Sequence, residues 1–353
     1  MAIERKTRAM MFPKIGKLSM AIFGLLLLVS GFRAFELFGF IFKANVVKDA
    51  VILIPEGATF NDVTNILKKQ EVLKNYRAFH WVSKKKKYKE NIKPGRYELK
   101  KGMNTNNLVN KLRNGVQDPV NVTFNNVRTF PQLAGKVADY LETDSGSMLR
   151  ILENSDIIKK YSFSEATFPA MFIPNTYQFY WTTTPEQFVE RMKKEYDKFW
   201  NSERIAKASA EGLSPVEVAT LASVVQEETN KNEEKALIAG VYLNRLNKGM
   251  LLQACPTVKY AVGDFSLRRI TDDMTKIQSP YNTYLNAGLP PGPINFPEIT
   301  SIDAVLNATH HNYLYFCAKD DFSGYNVFSR TLAEHNRNAA RYQRALNQKK
   351  IWK

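Results

Sequence analysis

The chain has 353 residues, 44% of them hydrophobic and 12% aromatic, with 50 Lys+Arg against 34 Asp+Glu for a formal net charge of +16. At roughly 100–200 residues per domain that length predicts about two domains, and the apolar share is enough to bury real cores, which excludes wholesale disorder, collagen and a disulfide-stapled mini-protein. One strongly apolar stretch near the N-terminus, with none elsewhere, excludes a polytopic transporter or channel.

From Leu18 to Phe32 every residue is apolar, Gly or Ser, framed by Lys17 and Arg33, and Phe35, Leu37, Phe38, Phe40, Ile41 and Phe42 continue the apolar character. The strict run spans only roughly 22 Å, short of a hydrocarbon core of about 30 Å. The next turns make it long enough, with Arg33 and Glu36 spaced to pair at i, i+3 and snorkel toward an interface. No A-x-A site follows Phe32 and no lipobox-like cysteine is present, so an uncleaved anchor over 18–42 is expected in place of a cleaved signal peptide. The basic flank (Arg5, Lys6, Arg8, Lys14, Lys17) puts residues 1–17 in the cytoplasm as a tail and everything after the anchor outside the membrane. Cytosolic cofactors such as NAD or ATP are thereby disfavoured, and no cofactor is expected.

A second basic run holds Lys84, Lys85, Lys86, Lys87, Lys89 and Lys93. Without a helix-turn-helix, zinc-finger or RNP-like pattern, this charge points to an anionic membrane surface or polymer, or to a solvated face, and not to nucleic acid. Cys255 and Cys317 lack C-x-x-C spacing and are either one disulfide or two buried thiols; His80, His310, His311 and His335 lack zinc spacing, so no metal site is expected.

Residues 45–124 read as a small mixed module. Val51–Ile54 is β-prone, Pro55-Glu56-Gly57 turns the chain, and Thr59 can cap a helix with Asp62 at its third position and Val63, Ile66 and Leu67 on its buried face. The pattern recurs: Tyr97-Glu98-Leu99 is strand-like, Gly102 turns, Asn104 can cap, and Leu108, Val109 and Leu112 form a stripe. Tyr76 to Lys89 predicts a helix between the two. The strand-helix-helix-strand order with its Ile-Pro-x-Gly start resembles a LysM-like domain, and a packing module that binds nothing is the alternative.

Val120 to Phe124 alternates as a strand, and Leu133, Val137 and Leu141 give a helical stripe. Met171 to Tyr180 is dense in aromatics around Pro174-Asn175, suited to core packing or to carbohydrate stacking. Phe188, Met192, Tyr196 and Phe199 form the buried face of an amphipathic helix.

At Ser214 a helix start is explicit: Ser caps, Pro215 takes the first helical position, and Glu217 completes a Ser-x-x-Glu capping box, which gives Glu217 a structural job. Counting back from Glu228 by three, four and seven residues gives Val225, Val224 and Leu221, so its side chain leaves from the apolar stripe, whereas Glu227 looks back at Ser223 and Thr220 and should be solvated. A carboxyl at the end of a core stripe is desolvated, which raises its pKa and suits a general acid. Fraying into solvent or pairing with a basic group is the alternative. A second helix follows, capped by Asn230 or Asn232, bearing Leu237, Ile238, Val241, Tyr242 and Leu246 and stopping at Lys248-Gly249. Beyond it lie loops around Gln253, Pro256 to Tyr260 and Ser279 to Tyr284, then a rigid Gly288 to Ile294 segment and a terminal strand-turn-strand. Aromatic faces with amides and hydroxyls suit a polyhydroxylated substrate, and the candidate substrate-binding residues are Asn175, Tyr177, Gln253, Thr257, Tyr260, Tyr281, Asn282, Thr283 and Pro291.

Taken in order, the Pro174 to Tyr177 loop, the Leu-Ala-Ser-x-x-x-x-Glu-Thr helix (Leu221 to Thr229), the Pro256-Thr257-Val258-x-Tyr260 loop, the Tyr281 to Tyr284 and Gly288 to Ile294 segments, Tyr313 to Phe316, Phe328 and Glu334-His335-Asn336 resemble the YceG/MltG family of membrane-anchored endolytic murein transglycosylases. That resemblance implies an α+β architecture: the N-terminal transmembrane helix, the LysM-like module over 45–124, and a catalytic domain over 125–353 with a lysozyme-like catalytic helix. It implies a lyase that cuts the MurNAc-β-1,4-GlcNAc bond of peptidoglycan without water, leaving 1,6-anhydro ends and ending glycan elongation, with Glu228 as acid and then base. The catalytic glutamate of the family directly precedes the Thr of the helix motif. Where many members have Glu-Lys-Glu-Thr this chain has Gln226-Glu227-Glu228-Thr229, and Asn175 replaces an Asp of the Pro-Asp-Thr-Tyr loop. Penicillin-binding protein synthases are implied partners, and glycan strands the implied substrate. A noncatalytic peptidoglycan-binding scaffold and a hydrolytic muramidase are the rival readings.

Overall fold

The computed structural model describes residues 16–267 and 270–349. The basic tail with Arg5, Lys6, Arg8 and Lys14 lies outside the described residues. The fold is mixed α+β and divides into two compact units, Met1–Asp118 and Pro119–Lys353.

In the first unit, helix α1 (Lys17–Phe42) runs unbroken through Arg33 and Glu36, which pair at 3.2 Å as their i, i+3 spacing predicts. Its stretch Ser19–Phe42 has a mean hydropathy of 1.9 and is long and apolar enough to cross a membrane. There follow β1 (Ala50–Ile54), α2 (Phe60–Lys69), α3 (Tyr76–Lys85), β2 (Gly95–Leu99) and α4 (Thr105–Asn114). The strands pair antiparallel with Ala50 opposite Leu99 and Ile54 opposite Gly95. Thr59 and Asp62 close a capping box on α2, and Asn104 caps α4 through the Asn107 N–H, so each helix has an orphan N–H satisfied. Gly57 and Gly102 sit at φ 75° and 87° before these caps, and the chain thus builds a strand, a glycine turn and a capped helix twice. Their inner faces meet in one core with Ile52, Ile54, Val63, Leu67, Phe79, Tyr97, Leu108 and Leu112 fully buried.

The second unit opens with β3 (Val120–Phe124), which the sequence pattern assigns to the end of the small module. It pairs antiparallel with β4 (Asn175–Phe179), Val122 opposite Tyr177, and so lies in the second unit, whose boundary falls between Asp118 and Pro119. Alternation identifies a strand but not a partner so far along the chain. Helices α5 (Phe130–Ala138), α6 (Ser145–Leu152), α7 (Ser155–Lys160) and α8 (Pro185–Phe199) enclose a core of Phe124, Leu133, Val137, Phe168, Phe172, Phe188 and Met192. A second core gathers around α9 (Ser202–Ala210), α10 (Pro215–Glu228), α11 (Asn232–Asn247), α12 (Cys255–Val262) and α13 (Ile299–Leu306). A hairpin of β5 (Tyr315–Ala318) and β6 (Asn326–Ser329) follows, then α14 (Leu332–Gln348), a helix absent from the sequence reading. The segment Pro256–Tyr260, expected as loop, is helical within α12; its proline sits in the first turn, where no N–H is needed. The N-cap of α11 is Lys231, not Asn230 or Asn232, and makes no side-chain capping bond.

Helix α10 begins as its residues dictate: the Ser214 N–H donates to Glu217 Oε2 at 2.8 Å and the Glu217 N–H donates to Ser214 Oγ at 3.3 Å. It has no wet face, however, because all eight residues from Val218 to Val225 are buried. Ser223 is covered by the end of the Gly/Pro segment and the residue after it, where the Ile294 N–H donates to Ser223 Oγ at 3.0 Å and Asn295 Nδ2 to the Ser223 carbonyl at 3.2 Å, while buried Thr220 donates its hydroxyl to the Val216 carbonyl at 2.8 Å. That cover needs Gly292, since a Cβ there would overlap the Ala166 carbonyl. On α11, Gly240 likewise lies against the Thr309 carbonyl and the His311 ring. Gly240→Ala gains helix propensity but overpacks backbone that cannot swing aside, so a net loss of about 1–2 kcal/mol and a Tm lower by several degrees are expected. An unchanged melting curve would show that the Thr309 segment yields freely.

Candidate active site

Glu228 is the last residue of α10, at the end where unpaired carbonyls make the helix dipole negative and oppose a further negative charge. It is half-buried and lines a cavity of about 320 Å³ together with Tyr242, Arg245, Leu252, Gln253, Cys255, Tyr284, Tyr315, Phe316, Leu332 and His335. Tyr242 and Arg245, three residues apart, share one face of α11. The Tyr242 hydroxyl donates to Glu228 Oε1 at 2.7 Å, and its ring meets Phe316 edge-on at 5.9 Å. Burial pushes the Glu228 carboxyl up to about 7, against the Tyr242 hydrogen bond and the positive charges of Lys259 and Arg245, which pull it down. Burial and the neighbouring Glu228 push the Tyr242 hydroxyl far above its ordinary range, so it remains a donor. A carboxyl so placed can release and recover a proton near neutral pH.

The other two polar residues at this helix end are committed elsewhere. Gln226 Oε1 accepts from the Glu298 N–H at 2.7 Å and from Ser301 Oγ at 3.1 Å, satisfying the start of α13. Glu227, expected to be solvated, is half-buried: it pairs with Arg128 at 2.9 Å and accepts from Asn295 Nδ2 at 2.9 Å. The side chain leaves the helix where periodicity says it should, but covering chain supplies partners there in place of water.

Of the residues expected to touch substrate, Gln253 alone joins Glu228 in the cavity lining. It does so at φ 50°, in the left-handed region that non-glycine residues avoid, with its N–H donating to the Thr283 carbonyl at 3.0 Å. Thr257, Asn282 and Thr283 are fully buried and hold that loop: Thr257 Oγ1 and Thr283 Oγ1 lie 2.8 Å apart, the Ala254 N–H donates to Thr283 Oγ1 at 3.0 Å, and Asn282 Nδ2 donates to the carbonyls of Thr275 and Ile277. Tyr260 and Tyr281 pack on each other, centroids 4.5 Å apart, outside the cavity lining. Asn175 is exposed at the start of β4 and bonds its own strand through Thr176, while Tyr177 is buried with its hydroxyl donating to the Ile173 carbonyl at 2.6 Å. Pro291 lines a separate cavity with Thr167, Glu211 and Glu217. Cys255 and Cys317 are both free thiols; Cys255 Sγ lies 3.2 Å from the Tyr284 hydroxyl.

The sequence pattern puts Tyr242 in the core, places Tyr284 in a loop suited to a sugar substrate without making it a site residue, gives Tyr315 and His335 only as motif residues of the family, and does not single out Arg245. A tyrosine and an arginine three apart among the apolar residues of the second half of α11 are the available signal.

Two expectations follow from the electrostatics. Glu228 holds its proton up to about pH 7 in the fold but ionises near 4.5 when unfolded, so stability falls as pH rises through that window. Glu228→Gln should therefore match wild type in urea unfolding at pH 4 and exceed it by up to about 3 kcal/mol at pH 8. Tyr242→Phe removes a donor to the carboxylate, so the Glu228 titration, followed by carboxyl NMR, should move above about 7; a downward move contradicts the hydrogen-bond assignment.

The YceG-like family model matches residues 52–341. An endolytic murein transglycosylase of Bacillus subtilis is 32% identical over 314 residues, which cover 84% of this chain and 86% of that protein. One of Streptococcus pneumoniae is 30% identical over 334 residues, 85% of this chain and 59% of that protein's length. A crystal structure of a yceG-like protein from Listeria monocytogenes matches 82% of this chain and 99% of its own at 30% identity, with a TM-score of 0.54. With residues 52–341, well over half of its length, matched by that model, the chain belongs to the YceG-like family.

Proposed function

We propose that this protein is a membrane-anchored endolytic murein transglycosylase that cuts the MurNAc-β-1,4-GlcNAc bond of nascent glycan strands and leaves 1,6-anhydro ends, with Glu228 as its acid and then its base. The family membership and the activity that its Bacillus and Streptococcus relatives carry in their names support the enzyme class. One observation supports the chemistry: among the described residues lining the cavity, Glu228 is the only carboxylate, and burial pushes it up to about 7. A hydrolytic glycosidase needs an acid and a second carboxylate as base or nucleophile. When the muramyl C6 hydroxyl is the nucleophile, one group suffices. Protonated Glu228 gives its proton to the bridging oxygen as the C1–O bond breaks, and the resulting carboxylate accepts the proton of the C6 hydroxyl as that oxygen bonds C1. Tyr242 steadies the carboxyl through both steps.

On this reading α10 is a lysozyme-like catalytic helix in a domain that begins near residue 119. The first unit is a LysM-like module, available to hold glycan, and α1 is a single-pass anchor with the N-terminus cytoplasmic and the catalytic part outside the cytoplasm. Glycan-polymerising penicillin-binding proteins are the natural partners for an enzyme that ends nascent strands.

Incubation of the membrane-embedded protein with sacculi, with products read by mass spectrometry, should yield anhydromuropeptides, and Glu228→Gln should lower the yield by about 10²–10⁴-fold. Reducing ends in place of anhydro ends would make it a muramidase. Retention of glycan with no cleavage would make it a scaffold.

A further inference from the structure

Arg245 is a buried cation with no ion-pair partner among the described residues; the carboxyl whose charge it feels is that of Glu228 in the same cavity. Arg245 is 8% exposed, and its Nε donates to the Leu314 carbonyl at 2.7 Å while Nη1 donates to the carbonyls of Leu251 and Leu252 at 3.2 and 2.9 Å. Its guanidinium carbon lies 5.0 Å from the centroid of the Tyr315 ring. Among the described residues no carboxylate pairs with it and Nη2 carries no hydrogen bond. Backbone carbonyls thus hold the fork rigidly, and while Glu228 keeps its proton no anion in the cavity balances the guanidinium charge, an arrangement that costs stability unless a ligand completes it. Beside it His335 stacks on Tyr315 at 5.5 Å, and its buried Nδ1 has no hydrogen-bond partner. Burial and the nearby Arg245 hold His335 below its ordinary range, so near neutrality the imidazole is neutral and Arg245 carries the charge of this wall. Both residues line the Glu228 cavity.

Wall glycan alternates two sugars. Each has an N-acetyl group, so that group cannot distinguish one β-1,4 bond from the next. The muramyl sugar alone bears a lactyl ether at C3, whose carboxyl carbon presents a carboxylate when bare and an amide carbonyl when a peptide is attached. It is also the sugar whose C1 reacts, which brings its C3 substituent into the same cavity as the acid. We propose that Arg245 and His335 are specificity-determining residues that bind the lactyl oxygen of the muramyl unit, and so select the bond on its C1 over the alternate bond along the strand. The inference rests on the transglycosylase reading of the Glu228 site.

The test compares two substrates with the full-length enzyme: glycan strands stripped of peptides, which carry lactyl carboxylates, and the same strands with those carboxylates reduced to alcohols. Wild type should lose about tenfold or more in kcat/KM on the reduced strands, the value of a charge-assisted contact. Arg245→Gln and His335→Gln should each raise KM on the carboxylate strands and bring the ratio between the two substrates toward one. Because Arg245 also ties three carbonyls, the wild-type comparison and His335→Gln decide the matter should Arg245→Gln not fold. Equal rates on both substrates with anhydro ends still formed, or unaltered discrimination in folded variants, overturns the inference and leaves the transglycosylase reading intact. Absence of anhydro ends from wild type on either substrate, with Glu228→Gln indistinguishable from it, removes that reading and this inference with it.

Discussion

The carboxyl of Glu228 has no easy place to put a negative charge. It stands at the negative end of a helix whose preceding turns are buried on every side, and desolvation outweighs the hydrogen bond and the two cations that favour ionisation. Acid–base work at one atom requires both protonation states to be reachable. More burial would lock the proton on and less would lose it before neutral pH, so the Tyr242 hydroxyl and the charges of Lys259 and Arg245 set the balance.

Three consecutive residues divide the work at this helix end. Successive side chains leave an α-helix about 100° apart. Gln226 therefore reaches the start of α13, Glu227 reaches Arg128 and Asn295, and Glu228 reaches the cavity. The acid's position is thus tied to α13 and to the chain after the Gly/Pro segment before any substrate arrives. The facing loop is equally built: the Thr257–Thr283 contact and the buried Asn282 hold Gln253 in its left-handed conformation, a strain that only surrounding structure can maintain. Residues that looked like sugar contacts in the sequence serve this bracing.

In the first unit, repetition does comparable work with simpler means. Two strand-turn-helix units pair their strands and share one core, so neither has to bury a face alone. The lysines that follow Val82 remain largely outside that core and leave the unit a basic surface. Helix α1 continues without a break past the Arg33–Glu36 pair because adjacent opposite charges on one helical face neutralise each other.

Local chemistry was readable from the sequence alone. The Ser214 box, Pro215, the Thr59 and Asn104 caps, the glycine turns and the apolar stripes depend on neighbours within a few residues, and each lies where its pattern puts it. So was Glu228's exit from the apolar stripe of α10, because helical phase is a property of the segment itself, and the ordered motifs pointed to the family. Partners distant along the chain were not readable. The pairing of β3 with β4, the cover over Ser223, the capture of Glu227 by Arg128 and the convergence of Tyr242, Arg245, Tyr315 and His335 on one cavity all depend on which buried surfaces meet. Tertiary packing decides that, because the hydrophobic effect that drives segments together rewards buried area without regard to their separation in sequence.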